Sequence, residues 1–165
     1  MKGNTPTPEK IMQALASVCD PEIPVLSIID LGIVRDVKIK NNIPEISITP
    51  TYTGCPAMKV IEDEIREAIR KEGLEDVIVK TVLAPPWTTD WIGTEAKEKL
   101  KAYGIAPPEK SSPDKSTLFG SPKAVACPRC ASSDTEMISQ FGSTACKALY
   151  RCRTCREPFD YFKCL

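Results

Sequence analysis

Three segments of the chain repeat their apolar residues at the three- and four-residue spacing of an amphipathic helix. They are residues 8–18, 56–71 and 94–103. The first opens with Thr7 as a candidate cap and with Pro8 at the first helical position, and the last closes before Gly104. The pattern therefore predicts three helices of ordinary length with identifiable ends.

Strands with one buried face are predicted where apolar and polar residues alternate. These segments are residues 33–40, 45–50 and 75–84, the last of which is rich in β-branched residues. The first two are separated by Asn41-Asn42-Ile43-Pro44, which we expect to form the turn of a hairpin. Two proline-containing stretches, residues 20–32 and 84–91, are predicted to be structured loops.

The resulting order, α-β-β-α-β-α over residues 1–108, predicts a two-layer α+β domain. Pro, Ser and Lys then dominate residues 109–124, which we interpret as a linker. Residues 125–165 combine cysteine pairs with segments of β-like composition, and they predict a second, small domain that resembles a zinc ribbon.

The composition limits the kinds of active site and metal site that the chain can form, mainly because it contains no histidine. This excludes Ser-His-Asp and Cys-His catalysis and iron sites built from two histidines and a carboxylate. The formal net charge of zero argues against a nucleic-acid-binding protein. There is no run of 18 apolar residues and no apolar signal-peptide core near Met1, so we expect a cytoplasmic protein without a membrane partner.

Four cysteines of the tail form two CxxC pairs, Cys127 with Cys130 and Cys152 with Cys155. In a reducing cytoplasm such pairs favour metal ligation over disulfides, and two tight turns allow four thiolates to surround one ion. About 40 residues bury too little apolar surface to fold alone, so the metal would supply about 10 kcal/mol of folding energy. We predict a structural zinc, although the spacing also admits iron at the same ligands.

The remaining residues of the tail leave alternatives open. Cys146 and Cys164 are either buried small hydrophobes or additional metal ligands. Four arginines surround the CxxC pairs and form either a solvated surface that offsets thiolate charge or a docking surface for an acidic partner. They are Arg129, Arg151, Arg153 and Arg156.

Cys55 is the candidate functional thiol of the first domain. With Pro56 at the first helical position, Cys55 is predicted to be the N-cap, where free N–H groups and the helix dipole stabilise a thiolate. A buried, inert cysteine is the alternative. Four residues could support the thiol or a bound anion, although all of them also suit ordinary turn and strand-end roles. They are Thr51, Thr53, Asp20 and Glu22. We predict no catalytic residue.

Two motifs resemble the MIP18-like family, whose domain was formerly called DUF59. One runs from Asp20-Pro21-Glu22 to Asp30-Leu31-Gly32, and the other is Thr49-Pro50-Thr51-Tyr52-Thr53-Gly54-Cys55-Pro56. The resemblance covers about residues 8–85. It implies a role in iron–sulfur cluster assembly, with Cys55 as the functional cysteine.

The rest of the chain is similar to the PaaD (also PaaJ) family of phenylacetyl-CoA oxygenase subunits. The similarity lies in APPWTTDWI, which contains Trp87 and Trp91, in FGSTACKALYRC at residues 141–152, and in PFDYFKC at residues 158–164. It implies that the chain belongs to a multicomponent ring 1,2-epoxidase. The other parts of that enzyme are a di-iron oxygenase and a reductase with flavin and a [2Fe–2S] cluster. The chain departs from the family pattern at Ala131, where a glycine often follows the second cysteine.

The leading hypothesis is an accessory or maturation protein that has no turnover chemistry of its own. It would assist iron or iron–sulfur centre assembly in its oxygenase partners, with structural zinc as a resident metal and iron or a cluster as transient cargo. The alternatives are a structural or regulatory subunit without metal transfer, a thiol-based enzyme, and a nucleic-acid-binding zinc ribbon. The absence of histidine weakens the enzyme alternative, and the weak charge argues against the last.

Overall fold

A computed structural model describes residues 5–109 and 124–163, and the chain divides after Trp87 into two compact units. The first unit contains two helices, a short strand pair and a three-stranded sheet. Its elements are α1 (Pro8–Ala16), β1 (Cys19–Asp20), β2 (Ile23–Ser27), β3 (Val34–Lys40), β4 (Ile43–Ile48), α2 (Ala57–Lys71) and β5 (Ile78–Thr81). The first five elements of the predicted α-β-β-α-β-α order are therefore present in this unit, with β1 and β2 as additions.

The central strand of the three-stranded sheet is β4, which pairs antiparallel with β3 and parallel with β5. Its residues alternate strictly between the two faces, so that Ile46 and Ile48 are fully buried. The apolar stripe of α2, which includes Ile61, Ile65 and Ile69, is also buried. A helical crossover between parallel strands, such as α2 between β4 and β5, is the standard way to cover one face of such a sheet.

Residues 20–32 form more regular structure than the predicted loop. The Asp20 carboxylate accepts hydrogen bonds from the amides of Glu22 at 2.8 Å and Ile23 at 3.0 Å. This Asx turn reverses the chain, and β1 then pairs antiparallel with β2 despite the prolines. Side-chain capping of this kind leaves no periodic signal in the sequence, which is why the loop prediction was wrong here.

The turn between β3 and β4 is shorter than predicted. Asn41 and Asn42 have φ values of 51° and 63°, a left-handed pair that matches the twist of a two-residue hairpin. Pro44 lies within β4 opposite Ile39, so only the two asparagines make the turn.

The described residues of the second unit form one short 3-10 turn, one helix and a four-stranded sheet. Its elements are the 3-10 turn Thr89–Trp91, α3 (Thr94–Tyr103), β6 (Ile105–Ala106), β7 (Thr135–Ser139), β8 (Lys147–Cys152) and β9 (Pro158–Phe162). The strand order is β6-β9-β8-β7, with β6 parallel to β9 and the other pairs antiparallel. Tyr150 stacks on Phe159 and meets Tyr161 edge-on in the core of this sheet.

The division after Trp87 differs from the predicted domain boundary at residue 108. Ile105 and Ala106 pair with Asp160 and Tyr161, and Ala106 joins the buried cluster of the second unit. A two-residue strand is too short to give a sequence pattern, so α3 could not be assigned to this unit from periodicity. Most of the predicted linker at 109–124 lies outside the described residues. Within them, no helix is long and apolar enough to cross a membrane.

Candidate metal centre and functional thiol

The two CxxC pairs converge where β8 ends. The Sγ atoms of Cys127, Cys130, Cys152 and Cys155 all lie within 4.8 Å of one another. The Sγ atoms are 3.8 Å apart between Cys127 and Cys155, and 3.5 Å apart between Cys130 and Cys152. Four sulfurs bonded to a central zinc at about 2.3 Å would lie about 3.8 Å apart, so the arrangement fits a tetrahedral zinc.

The two metal-binding turns repeat one backbone geometry. In each, the amide of the first cysteine donates to the carbonyl five residues later, at 2.9 Å in the first turn and 3.0 Å in the second. The residue after the second cysteine is left-handed in both, with φ of 60° at Ala131 and 64° at Arg156. Alanine in place of glycine at position 131 has therefore not changed the turn. It does put a residue with a side chain into a left-handed conformation that glycine adopts with less strain.

Hydrogen bonds and proximity shift the pKa values of Cys152 and Cys155 in opposite directions. The Cys155 amide donates to the Cys152 Sγ at 3.4 Å and lowers the pKa of that thiol to about 6. At Cys155 the Glu157 amide favours the thiolate, but burial and the three neighbouring sulfurs outweigh it and raise the pKa to about 12. Four thiols this close together are the donor set that a divalent cation would ionise.

The other candidate residues of the tail lie outside the four-sulfur cluster wherever the structure describes them. Arg153 forms ion pairs with Asp134 and Glu136, whereas Arg129, Arg151 and Arg156 are exposed. Cys146 is buried, with its Sγ 3.1 Å from the Thr144 hydroxyl, and lies outside the four-sulfur cluster. This position favours the small-hydrophobe alternative for Cys146, and Cys164 lies outside the described residues.

Cys55 lies one residue further from α2 than predicted. The helix begins at Ala57 and its cap position is Pro56, which has near-helical φ and ψ and provides no side-chain cap. The Cys55 amide donates to the Tyr52 carbonyl, and the Cys55 carbonyl accepts from the Met58 amide. The N-cap prediction was therefore wrong, since the turn that precedes the helix continues through Pro56. The thiol is half-buried beside the start of α2.

The residues predicted to support Cys55 divide into two groups. Thr51, half-buried, and Thr53, exposed, precede the thiol in its own turn. Asp20 is buried and caps the β1–β2 turn, in which Glu22 supplies one of the amides. The described contacts of Asp20 are thus those of turn chemistry.

Sequence reasoning missed a polar network around Asp160 at the opposite end of β8 from the metal-binding turns. Its carboxylate accepts from the Ser143 hydroxyl at 3.1 Å and lies 3.9 Å from the Lys147 ammonium. The only available signal was the motif FGSTACK, which suggested a family but gave no indication that Asp160 would join it.

The family matches also divide the chain into two parts, with a gap between them that contains α3 and β6. The family described as "Iron-sulfur cluster assembly protein" matches residues 8–83, and the family described as "PaaD zinc beta ribbon domain" matches residues 111–163. The Fe-S protein maturation auxiliary factor YitW of Bacillus subtilis (strain 168) is 40% identical over 94 residues, which are 56% of this chain and 91% of that protein. The crystal structure of a DUF59 domain from Bacillus anthracis is 30% identical with a TM-score of 0.52, and it covers 56% of this chain and 89% of that one.

A further relative matches nearly the whole chain. It is an Escherichia coli (strain K12) protein named as a subunit of a "Putative 1,2-phenylacetyl-CoA epoxidase", and it is 51% identical over 160 residues. The match covers 97% of this chain and 94% of the relative. The chain therefore belongs to the PaaD family, in which an iron–sulfur-assembly (DUF59) domain precedes a zinc ribbon with four clustered cysteines.

Proposed function

We propose that this protein is an accessory maturation factor of the phenylacetyl-CoA 1,2-epoxidase system in aerobic phenylacetate catabolism, and that it assists iron or iron–sulfur centre assembly in its partners. The supporting observation is how the relatives divide along the chain. A relative that matches 56% of the chain is named a maturation factor, whereas one that matches 97% is named an epoxidase subunit. The first half then suits handling of the cargo, and the second suits its delivery to the epoxidase.

Cys55 is the residue that we assign to the cargo, which is an iron ion or an iron–sulfur cluster. Its thiol is half-buried, and the preceding Gly54 is exposed, with φ of 79° and open space where a side chain would project. Another protein can therefore approach the thiol closely. A single thiolate holds a metal less tightly than a complete ligand set does, which suits transfer rather than storage.

The zinc-binding residues have a different role in this proposal. Cys127, Cys130, Cys152 and Cys155 fit a resident zinc that ties the two metal-binding turns together and supplies folding energy. Four cysteine ligands would leave no coordination position open for water or substrate, as in structural zinc sites. The resident metal and the transient cargo would thus be held by different units.

The experiment compares two cysteine substitutions in cells that rely on this copy of the protein. Cys55→Ala should abolish growth on phenylacetate and lower the iron and sulfide content of the purified epoxidase subunits. Cys19→Ala changes another half-buried thiol of the first unit. It should leave growth on phenylacetate and the metal content of the epoxidase subunits near their wild-type values. Protein levels of both variants are measured by immunoblot.

One result would reverse the order of the hypotheses. If Cys55→Ala cells grow normally and their epoxidase subunits are fully metallated, Cys55 does not handle cargo. The alternative, a structural or regulatory subunit without metal-transfer activity, would then take first place.

A further inference from the structure

The second unit presents an exposed aromatic side chain on the turn that follows β7, the edge strand of its sheet. Phe141 is 66% exposed and Ile138 is 53% exposed. The Lys163 ammonium lies 4.8 Å from the centre of the Phe141 ring and donates to the Gln140 carbonyl at 3.0 Å. We call Phe141 and Lys163 the Phe141 surface.

The turn beneath Phe141 is fixed by the Asp160 network. A side chain on Gly142 would lie 2.6 Å from the Asp160 Oδ1, so Gly142 packs directly on that carboxylate. The Gly142 amide donates to the Lys147 carbonyl at 2.8 Å, and the Ser143 hydroxyl donates to Asp160. Lys147 is only 4% exposed, although lysine is almost never buried unless it is paired.

This scaffold distinguishes Phe141 from an ordinary exposed apolar residue. Single exposed apolar side chains are common and need no explanation. Here an ion pair between buried Lys147 and half-buried Asp160, together with several hydrogen bonds, holds the backbone of the turn that carries the exposed Phe141 ring. An aromatic side chain held in place before binding loses little entropy when it enters a pocket, and such residues dominate the affinity of protein interfaces.

We propose that the Phe141 surface docks this protein onto another subunit of the epoxidase assembly. Phe141 would enter an apolar pocket, and carboxylates at the pocket rim would meet the Lys163 ammonium. The inference rests on the proposed function and deepens it, because it names the surface that directs delivery. The occupant is a protein subunit because the relative that matches 97% of this chain is named a subunit, whereas the maturation factor matches 56% of it.

A nucleic acid fits the same surface less well. Specific duplex binding typically requires roughly six to ten phosphate contacts, most of them from lysine and arginine. The Phe141 surface offers one lysine, and the whole chain has a formal net charge of zero. A protein pocket needs only the aromatic ring and one complementary charge.

The test measures binding of the full-length, zinc-loaded chain to the remaining epoxidase subunits, purified from the same source. Phe141→Ala should raise the Kd at least tenfold. Leu83→Ala is the matched control, because Leu83 is 67% exposed but lies in the first unit, and its Kd should change less than threefold. Lys163→Gln should weaken binding less than Phe141→Ala does and should reduce the dependence of Kd on salt.

Several outcomes would overturn the docking inference. These are an unchanged Kd for Phe141→Ala, equal losses for Phe141→Ala and Leu83→Ala, and failure of the wild-type chain to bind the subunits. A clear drop in melting temperature for Phe141→Ala would mean that the chain itself covers the ring. A wild-type dimer that Phe141→Ala converts to a monomer, or duplex DNA binding that requires Phe141, would assign the surface to another occupant.

The inference and the proposed function can fail separately. Cys55→Ala should bind the subunits with wild-type affinity, since it leaves the Phe141 surface intact. If Phe141→Ala binds normally while Cys55→Ala still lowers metallation, only the docking inference is wrong. If Phe141→Ala loses binding but the epoxidase subunits of Cys55→Ala cells remain fully metallated, the docking inference is supported and the proposed maturation role is wrong.

Discussion

At the scale of single residues, the two left-handed positions of the metal-binding turns show where this chain carries backbone strain. Ala131 and Arg156 adopt φ of 60° and 64° at equivalent places in the two turns. The left-handed region costs a residue with a side chain about 1 kcal/mol or more relative to glycine. The turns are nevertheless formed, which indicates that their hydrogen bonds and the four converging cysteines determine the geometry.

We therefore expect Ala131→Gly and Arg156→Gly each to stabilise the second unit by about 0.5–1 kcal/mol, after the greater flexibility of glycine in the unfolded chain is included. The measurement is urea unfolding of the zinc-loaded protein. Ser133→Gly is the control, since Ser133 is exposed and has no left-handed backbone, and it should stabilise nothing. Equal effects at all three positions would show that strain is not the cause.

At the scale of elements, helices were predicted more completely than strands. Thr7 caps α1 by accepting from the Lys10 amide, and Gly104 ends α3 in the left-handed conformation, as the sequence indicates. Side-chain caps and glycines are local signals, so they are visible in one sequence.

The strands that escaped prediction are β1, β2, β6 and β9. Two of these have only two residues, and their pairing depends on partners that no local pattern specifies. The same contrast holds for the candidate sites. The four candidate zinc ligands are evident from CxxC spacing, whereas the Asp160 network depends on register between β8 and β9.

The cap of α1 gives a prediction at this scale. Thr7→Val removes the hydroxyl that accepts from the Lys10 amide, and should lower the free energy of unfolding of the first unit by about 1 kcal/mol. Thermal or urea denaturation followed by circular dichroism measures the loss. Thr5→Val changes an exposed threonine outside the helix and should have little effect. A loss of similar size for both variants would argue against a capping role.

At the scale of the whole molecule, the four clustered cysteines and the first domain belong to separate compact units. The Bacillus subtilis relative aligns over 91% of its own length with only 56% of this chain. We expect each unit to keep its fold when the other is unfolded.

Removal of zinc tests this expectation. The two tryptophans of the chain lie on either side of the division, so Trp91→Phe leaves Trp87 as the reporter of the first unit. Trp87 is buried, and its indole N–H donates to the Leu31 carbonyl at 2.7 Å. A chelator should abolish the circular dichroism of the zinc ribbon but leave the Trp87 emission unchanged. A shift of that emission toward the solvent-exposed value would mean that the first unit depends on the metal.

The parallel pairing of β6 with β9 bears on how this protein could be recombined with others. A chimera joined at residue 108 would separate Ile105 and Ala106 from the strand to which they bond, and would leave one edge of β9 without its partner. Exposed strand edges of this kind favour aggregation. A chimera that transfers the second unit to another protein should therefore begin at Thr88. Both α3 and β6 are then kept in the same chain as β7, β8 and β9.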